Sequence, residues 1–329
     1  MPIQFAVLAS GSRGNATLVR GRGAGLLIDV GIGPRALQGR LESVGAGWSE
    51  VAGVVLTHTH GDHVDSGTFA ELARRRIAVH CHEGHRGNLG DNPGFQRLEA
   101  VGLVSCYDDQ PVLTATGLRL EPIRLRHDGG PTYGFRIEVS SERRGRPVSI
   151  GYLADTGSWS ESIVESLADV DVLGVEFNHD VAMQKSSGRS GALIARNLGD
   201  HGHLSNRQGA ELVEAVLARS RPKVMQHLVL LHLSEQCNRP DLAIETARAA
   251  LGTASRQVAV HAARQSPAHP NLWITPGRRS FRAVGRPHGT VGLHRPATPS
   301  RAARSAGTPV LAGLFDRDRD QDEDTVGAP

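Results

Sequence analysis

Thr57-His58-Thr59-His60-Gly61-Asp62-His63 follows directly on an apolar run that begins at Val51. The run reads as a buried strand over Val51–Thr57 that delivers the cluster to the end of a sheet. Three imidazoles and a carboxylate lie within six residues, and Gly61 permits a turn tight enough to aim them at a common point. Imidazole combined with carboxylate suits Zn²⁺, Mn²⁺ or iron ions. A lone histidine is more often a packing residue, but four convergent ligands behind a strand point to a metal site.

Upstream, Ile3–Leu8, Thr17–Val19 and Gly25–Val30 read as consecutive strands, with Ser10–Asn15 and Gly21–Gly23 as turns. Pro34 suits the first turn of a helix running to about Val44. Downstream, Phe69–Arg75 predicts a helix and Ile77–His80 a strand. The second half has the same texture. Strands are predicted over Leu118–Leu125, Tyr133–Val139, Val148–Leu153, Val170–Phe177 and Val224–Leu231, with helices over Ser160–Leu167, Asn206–Ala218 and Pro240–Leu251. Strand runs followed by helices, twice over, imply an α/β fold of two sheets covered by helices.

The chain has 329 residues and a formal charge of +3. From Gln265 onward there are nine Arg and six acidic residues, so residues 1–264 are electrically balanced. A strongly basic nucleic-acid-binding body is therefore not supported, which leaves room only for a local basic strip. Arg74-Arg75-Arg76 is a local basic run, read as a solvated helix end. No apolar run reaches the ~20 residues of a membrane helix, and the opening MPIQFAVLASGS reads as a strand rather than a signal peptide. Cys81, Cys106 and Cys237 are too few and too scattered for a disulfide framework, which suits a reducing cytoplasm. Eight of the 17 prolines fall in residues 265–329, where periodicity fails. Two segments are expected: a folded domain over 1–264, and an Arg- and Pro-rich tail with an acidic end, without a core of its own, over 265–329.

The HxHxDH element resembles that of the metallo-β-lactamase fold, a four-layer αββα sandwich. The rest of that fold's ligand set has counterparts in order: His127 after a strand, Asp155 at the end of another, and His232 at the end of the last. Leu8-Ala9-Ser10-Gly11-Ser12-Arg13-Gly14-Asn15-Ala16 is similar to the opening signature of the YycJ/WalJ group within that fold. So are Asn178-His179-Asp180, Gly202-His203-Leu204-Ser205-Asn206 and His232-Leu233-Ser234-Glu235-Gln236-Cys237-Asn238. Cys237-Asn238 departs from the paired Asn common in the group.

The resemblance implies two divalent ions, zinc or manganese. His58, His60 and His127 would hold one; Asp62, His63 and His232 the other; Asp155 would bridge them. Two cations a few Å apart would lower the pKa of a bridging water to give hydroxide, and would clamp the oxygens of a phosphodiester. The implied activity is a dinuclear-metal phosphodiester hydrolase, an exonuclease-like enzyme acting on DNA. The alternative is a hydrolase of a small ester, thioester or cyclic phosphodiester. Asp62 and His203 are the catalytic candidates, His203 as a proton donor or transition-state stabiliser. Ser10, Ser12, Asn15, Asn178, His179 and Ser205 are candidate substrate contacts. Ser10–Asn15 reads either as a phosphate-binding nest of backbone N–H groups or as a hairpin turn. His80, His82 and His85 read as surface residues near the cleft rim.

Overall fold

The computed structural model of the chain describes residues 2–21, 23–114, 116–139 and 146–275. β1 (Ile3–Ala9) is buried along its whole length, and alternate side chains enter different cores. Ile3, Phe5 and Val7 join a cluster shared with the opposite sheet, whereas Ala6 and Leu8 face helices. A strand covered on both faces needs no polar alternation, and the β1 sequence is apolar apart from buried Gln4, whose amide donates to Val44 O at 2.8 Å.

The chain continues through β2 (Ala16–Arg20), β3 (Gly25–Ile28), α1 (Pro34–Ser43), β4 (Val51–Val55), α2 (Ser66–Arg75), β5 (Ala78–His82), α3 (Arg86–Leu89), α4 (Pro93–Ala100) and β6 (Val104–Tyr107). There follow β7 (Val112–Leu113), β8 (Leu118–Leu125), β9 (Thr132–Val139), β10 (Val148–Leu153), α5 (Glu161–Leu167) and β11 (Val172–Glu176). The last elements are α6 (Val181–Lys185), α7 (Gly191–Leu198), α8 (Asn206–Arg219), β12 (His227–Leu231), α9 (Pro240–Leu251), β13 (Ala259–Ala262) and β14 (Asn271–Ile274). Among the described residues the strands form two seven-stranded sheets, ordered β14-β1-β2-β3-β4-β5-β6 and β13-β12-β11-β10-β9-β8-β7.

The inner faces meet in a core that includes Phe5, Val19, Ile28, Tyr133, Phe135, Ile150 and Tyr152. Leu37 and Leu41 of α1, Phe69 and Leu72 of α2, and Phe95 and Leu98 of α4 cover the outer face of the first sheet. Val164, Leu212, Val213, Val216 and Ala247, from α5, α8 and α9, cover the second. This is the αββα sandwich. β3, β4, β5 and β6 pair in parallel, as do β10, β11, β12 and β13. Parallel pairing brings the C-terminal ends of those strands to one edge of each sheet, where connecting loops can converge on a ligand.

Three differences from the sequence reading have local causes. α2 begins at Ser66 rather than Phe69, because the Asp65 carboxylate accepts from Thr68 N at 2.7 Å and caps the turn. α4, α6 and α7 were not anticipated; they are short and start at Asn92, Asp180 and Ser190 caps. The domain boundary expected at 264 falls short. β14 pairs antiparallel with β1, and its Leu272 and Ile274 are buried in the core between the sheets. Four residues with alternate burial give too brief a signal to stand out beside the prolines that precede them. Residues 276–329, the rest of the expected tail, lie outside the described residues.

Ile274 is fully buried. Ile274→Ala should therefore cost about 2–5 kcal/mol in urea unfolding, and a chain ending at residue 264 should melt well below one ending at 275. Equal stability of the two truncated chains would show that β14 is dispensable.

Candidate metal centre

The centre is assembled at the C-terminal ends of the strands. Asp29 follows β3, the His58–His63 loop follows β4, Asp155 follows β10, and His232 follows β12. Asp29, Asp155 and His232 all have left-handed backbone, with φ of 59°, 42° and 53°. Non-glycine residues there cost of the order of 1–3 kcal/mol each, and such strain collects where side chains must be aimed. Each bend turns a side chain off the end of its strand and into the cleft between the sheets.

His58, His60 and His127 form one group whose ligand atoms lie within 4.8 Å of one another, and Asp62, His63 and His232 form another. His127 Nε2 is 3.1 Å from His60 Nδ1, and His232 Nε2 is 3.2 Å from Asp62 Oδ2. Asp155 stands between the groups. Its Oδ2 lies 2.8 Å from His63 Nε2, and its Oδ1 lies 3.0 Å from His232 Nδ1. His58 and His63 are fully buried, whereas the side chains of His60 and Asp62 are 33% and 21% exposed. The centre is therefore open to solvent on the His60–Asp62 side.

The residues fit a cation. His58 Nε2 is buried without a hydrogen-bond partner, and His58, His63 and Asp155 form a third close group. An unsatisfied buried polar atom costs about 1–3 kcal/mol, and an ion among these residues satisfies it. Burial alone would depress the His63 pKa, but the facing Asp29 and Asp155 carboxylates outweigh it and hold it up at about 10. The same contest, with Asp155 the strongest opposing charge, raises His232 well above the usual imidazole range. Protons thus stand in for cations, and metal binding must expel them.

Supporting groups fix the ligand rings. His63 Nδ1 donates to Asp29 Oδ2 at 2.7 Å, and Asp29 also accepts from Thr57 N and Thr57 Oγ1, both at 2.8 Å. His127 Nδ1 donates to Gly202 O at 2.8 Å. Buried Glu176 accepts from His203 Nδ1 at 2.7 Å and lies 3.2 Å from His232 Nδ1; its other oxygen accepts from Thr156 N and Leu204 N. Despite burial, the charges and hydrogen bonds of His203 and His232 hold the Glu176 carboxyl at about 2. The His203 imidazole, against the pull of its own burial, is held at about 9 by Glu176 and Asp155. Gly129 backs the cluster: a Cβ there would lie 2.6 Å from His58 Cδ2, so a side chain would push the ring out of place.

The expected substrate contacts are mostly directed inward. Ser10 Oγ accepts from His232 N at 2.8 Å. Asn15 Nδ2 lies 3.0 Å from His63 Nε2 and donates to Asp62 O at 3.2 Å. Asn178 Nδ2 donates to His232 O at 2.8 Å. Ser205 caps α8 in a capping box with Gln208. His179 is buried without a partner at either nitrogen, and burial lowers its pKa to about 4. Of the six, only Ser12 is exposed. Ser10, Asn15 and Asn178 therefore hold the ligands in position rather than reach solvent. The nest reading of Ser10–Asn15 is corrected likewise, because Ser10 N, Gly11 N, Arg13 N, Gly14 N and Asn15 N already donate within the protein. His80 and His85 are buried, not on the surface: Ser105 Oγ and Pro131 O engage them at 2.6 and 2.7 Å.

Asp29 and Glu176 were missed. Each is an acid at the end of an apolar strand, in Leu26-Leu27-Ile28-Asp29 and Val172-Leu173-Gly174-Val175-Glu176. An acid at that position is the available signal, although a turn residue gives the same one.

Fold and site together define a metal-dependent hydrolase. Residues 25–232 match the β-lactamase superfamily domain, and the chain belongs to that superfamily. It is 26% identical over 249 residues to exodeoxyribonuclease YycJ of Bacillus anthracis, covering 74% of this chain and 87% of that protein. It is 25% identical over 241 residues to exodeoxyribonuclease WalJ of Streptococcus pneumoniae, covering 73% and 85%. The metallo-β-lactamase-fold protein YhfI from Bacillus subtilis superposes with a TM-score of 0.58 at 18% identity, covering 82% of this chain and 99% of that one. No helix among the described residues is long and apolar enough to cross a membrane.

Asp29→Asn keeps the shape of the carboxylate but removes the charge that orients His63. Loss of such a supporting group typically lowers metal affinity 10–100-fold. A chelator-competition titration should show this, and wild-type affinity in the variant would remove Asp29 from the account.

Proposed function

We propose that the chain is a dinuclear phosphodiesterase that degrades DNA. The observation that carries this reading is the pair of ligand groups, His58/His60/His127 and Asp62/His63/His232, with Asp155 between them on the side of His203. A bound pair of divalent ions supplies an activated water and neutralises charge on the phosphate oxygens. Similarity to two proteins named as exodeoxyribonucleases supports DNA as the substrate.

The chain's own residues do the rest. Asp155 keeps negative charge buried between the groups, and its pKa lies well below the usual carboxylate range because, despite desolvation, His232 and His63 face it. His60 and Asp62 form the open side through which a strand end reaches the centre. Arg196 pairs with Asp128 beside His127 and His60, placing a neutral ion pair at that mouth.

His203 holds the mobile proton. Its ring centroid lies 5.0 Å from that of His127 and 5.2 Å from that of His232, so it adjoins both ligand groups. Glu176 takes the Nδ1–H, which leaves Nε2 to protonate a departing oxygen. Help of this kind is given in the transition state more than in the ground state, so it raises turnover rather than binding.

Metal-loaded wild-type protein should shorten end-labelled DNA, and Asp62→Ala should abolish the activity. His203→Ala should keep its metal and KM but lose about 10²–10⁴ in kcat. The defect should shrink on a nitrophenyl phosphodiester, whose leaving group needs no proton. Turnover of a nitrophenyl phosphodiester with no cleavage of any DNA would instead favour a small-substrate hydrolase, and an equal loss on both substrates would remove His203 as the proton donor.

A further inference from the structure

Residues 1–264 carry no net charge, so affinity for a polyanion must come from a few cations placed near the opening of the centre. Two arginines there are already neutralised: Arg13 pairs with Glu235, and Arg196 with Asp128. Arg189 is held differently. Its Nε and Nη2 both donate to the neutral Oε1 of Gln236, at 3.3 and 2.9 Å, and it makes no ion pair with a carboxylate among the described residues. The half-buried guanidinium therefore keeps its charge.

Two loops place Arg189 on the Asp62–His232 side of the centre. Gln236 lies four residues after His232, and the loop that carries it is knit to the end of β11: Ser234 N donates to Asn178 O and Asp180 N to Cys237 O, both at 2.8 Å. Glu235, beside Gln236, reaches Arg13 of the loop whose Asn15 contacts Asp62 and His63. On the other side, Gly188 has left-handed backbone, with φ of 73°, in the turn between α6 and α7 that presents Arg189 to Gln236. The charges of Arg189 and of His203 both bear on His179, which adjoins the two.

The free donors of this side chain suit a phosphate. A guanidinium has about five N–H groups, and Gln236 engages only those on Nε and one side of Nη2. Planar and always charged, the remaining fork can meet two phosphate oxygens at once. Because Gln236 already fixes the side chain, less freedom is lost when an anion binds. Four residues span at most about 14 Å, so Gln236 lies within that distance of His232. A DNA strand carries a phosphate every ~3.4 Å of helix axis, so a strand with one phosphate at the centre brings others to Arg189. A small phosphodiester has no second phosphate to offer.

We propose that Arg189, oriented by Gln236, binds a backbone phosphate of the DNA strand other than the one being cleaved, and so selects a polynucleotide over a small phosphodiester. The inference rests on DNA as the substrate of the centre. Arg189 is then a specificity-determining residue, and Gln236 a positioning residue that acts through it.

The test is the affinity of the metal-loaded full chain for single-stranded DNA with cleavage-resistant phosphorothioate linkages, measured over a series of salt concentrations. Arg189→Gln should bind about tenfold more weakly at low salt, and its plot of log affinity against log salt should be shallower by about 0.7, as for one lost phosphate contact on a single strand. Gln236→Glu, which pairs the guanidinium with a carboxylate, should do the same, and Arg189→Lys should restore the slope. Arg219→Gln removes the same charge from an exposed pair with Glu165 at the far end of α8, and should match wild type. On cleavable DNA, kcat/KM of Arg189→Gln should fall further than on a nitrophenyl phosphodiester. If wild type binds and shortens DNA while Arg189→Gln keeps its affinity and slope, the subsite is overturned and the reading of the centre stands. An equal change in Arg219→Gln reduces the effect to net charge and also overturns the subsite. If wild type neither binds nor shortens DNA, the DNA reading fails and the subsite falls with it.

Discussion

A carboxylate buried between two sheets must be compensated, and the architecture around Asp155 follows from that constraint. Transfer of an unpaired charge into a protein interior costs several kcal/mol even after relaxation. Asp155 is 2% exposed and meets His63, His203 and His232 within 3.3 Å. Two further buried acids support the same rings: Asp29 holds the far nitrogen of His63, and Glu176 meets the Nδ1 atoms of His203 and His232 alongside Asp155. The result is alternating acid and imidazole across the seam of the sandwich. Protons can balance it, but they leave His58 Nε2 without a partner. A bound cation would balance the charge and engage that atom as well.

The sandwich makes this arrangement affordable. Apolar faces close over both sheets, and parallel pairing sends β3, β4, β11 and β12 to the edge where the loops emerge. The strain at Asp29, Asp155 and His232 is concentrated where each chain leaves its strand, and dense packing on either side holds it there. Ser10, Asn15 and Asn178 extend the support to the backbone and rings of the ligands. Binding and positioning are thus separated. Buried groups hold the centre rigid, while His60, Asp62 and the Asp128–Arg196 pair are left at the opening.

The sequence was informative where chemistry is concentrated locally. His58, His60, Asp62 and His63 announce themselves by spacing, and the long apolar strands with their helices convey the α/β layers. His127, Asp155 and His232 could be ordered only through resemblance to a known fold, because a single polar residue at a strand end has many uses. Asp29 and Glu176 escaped for the same reason: their significance lies in which histidine they meet across the fold. For Ser10, Asn15 and Asn178, composition marked polar turns beside the ligands, but it does not encode whether such a side chain faces ligand or solvent. β14 was lost because four residues of alternating burial carry little periodic signal.

The central claim is that Asp155 is shared by two ions held by the two histidine groups. Its most direct test is an anomalous difference map from crystals of the manganese-loaded protein. The account predicts two peaks about 3.5–4 Å apart, one beside His58, His60 and His127 and the other beside Asp62, His63 and His232, with the Asp155 carboxylate contacting both. A single peak, or two peaks without Asp155 between them, would contradict it.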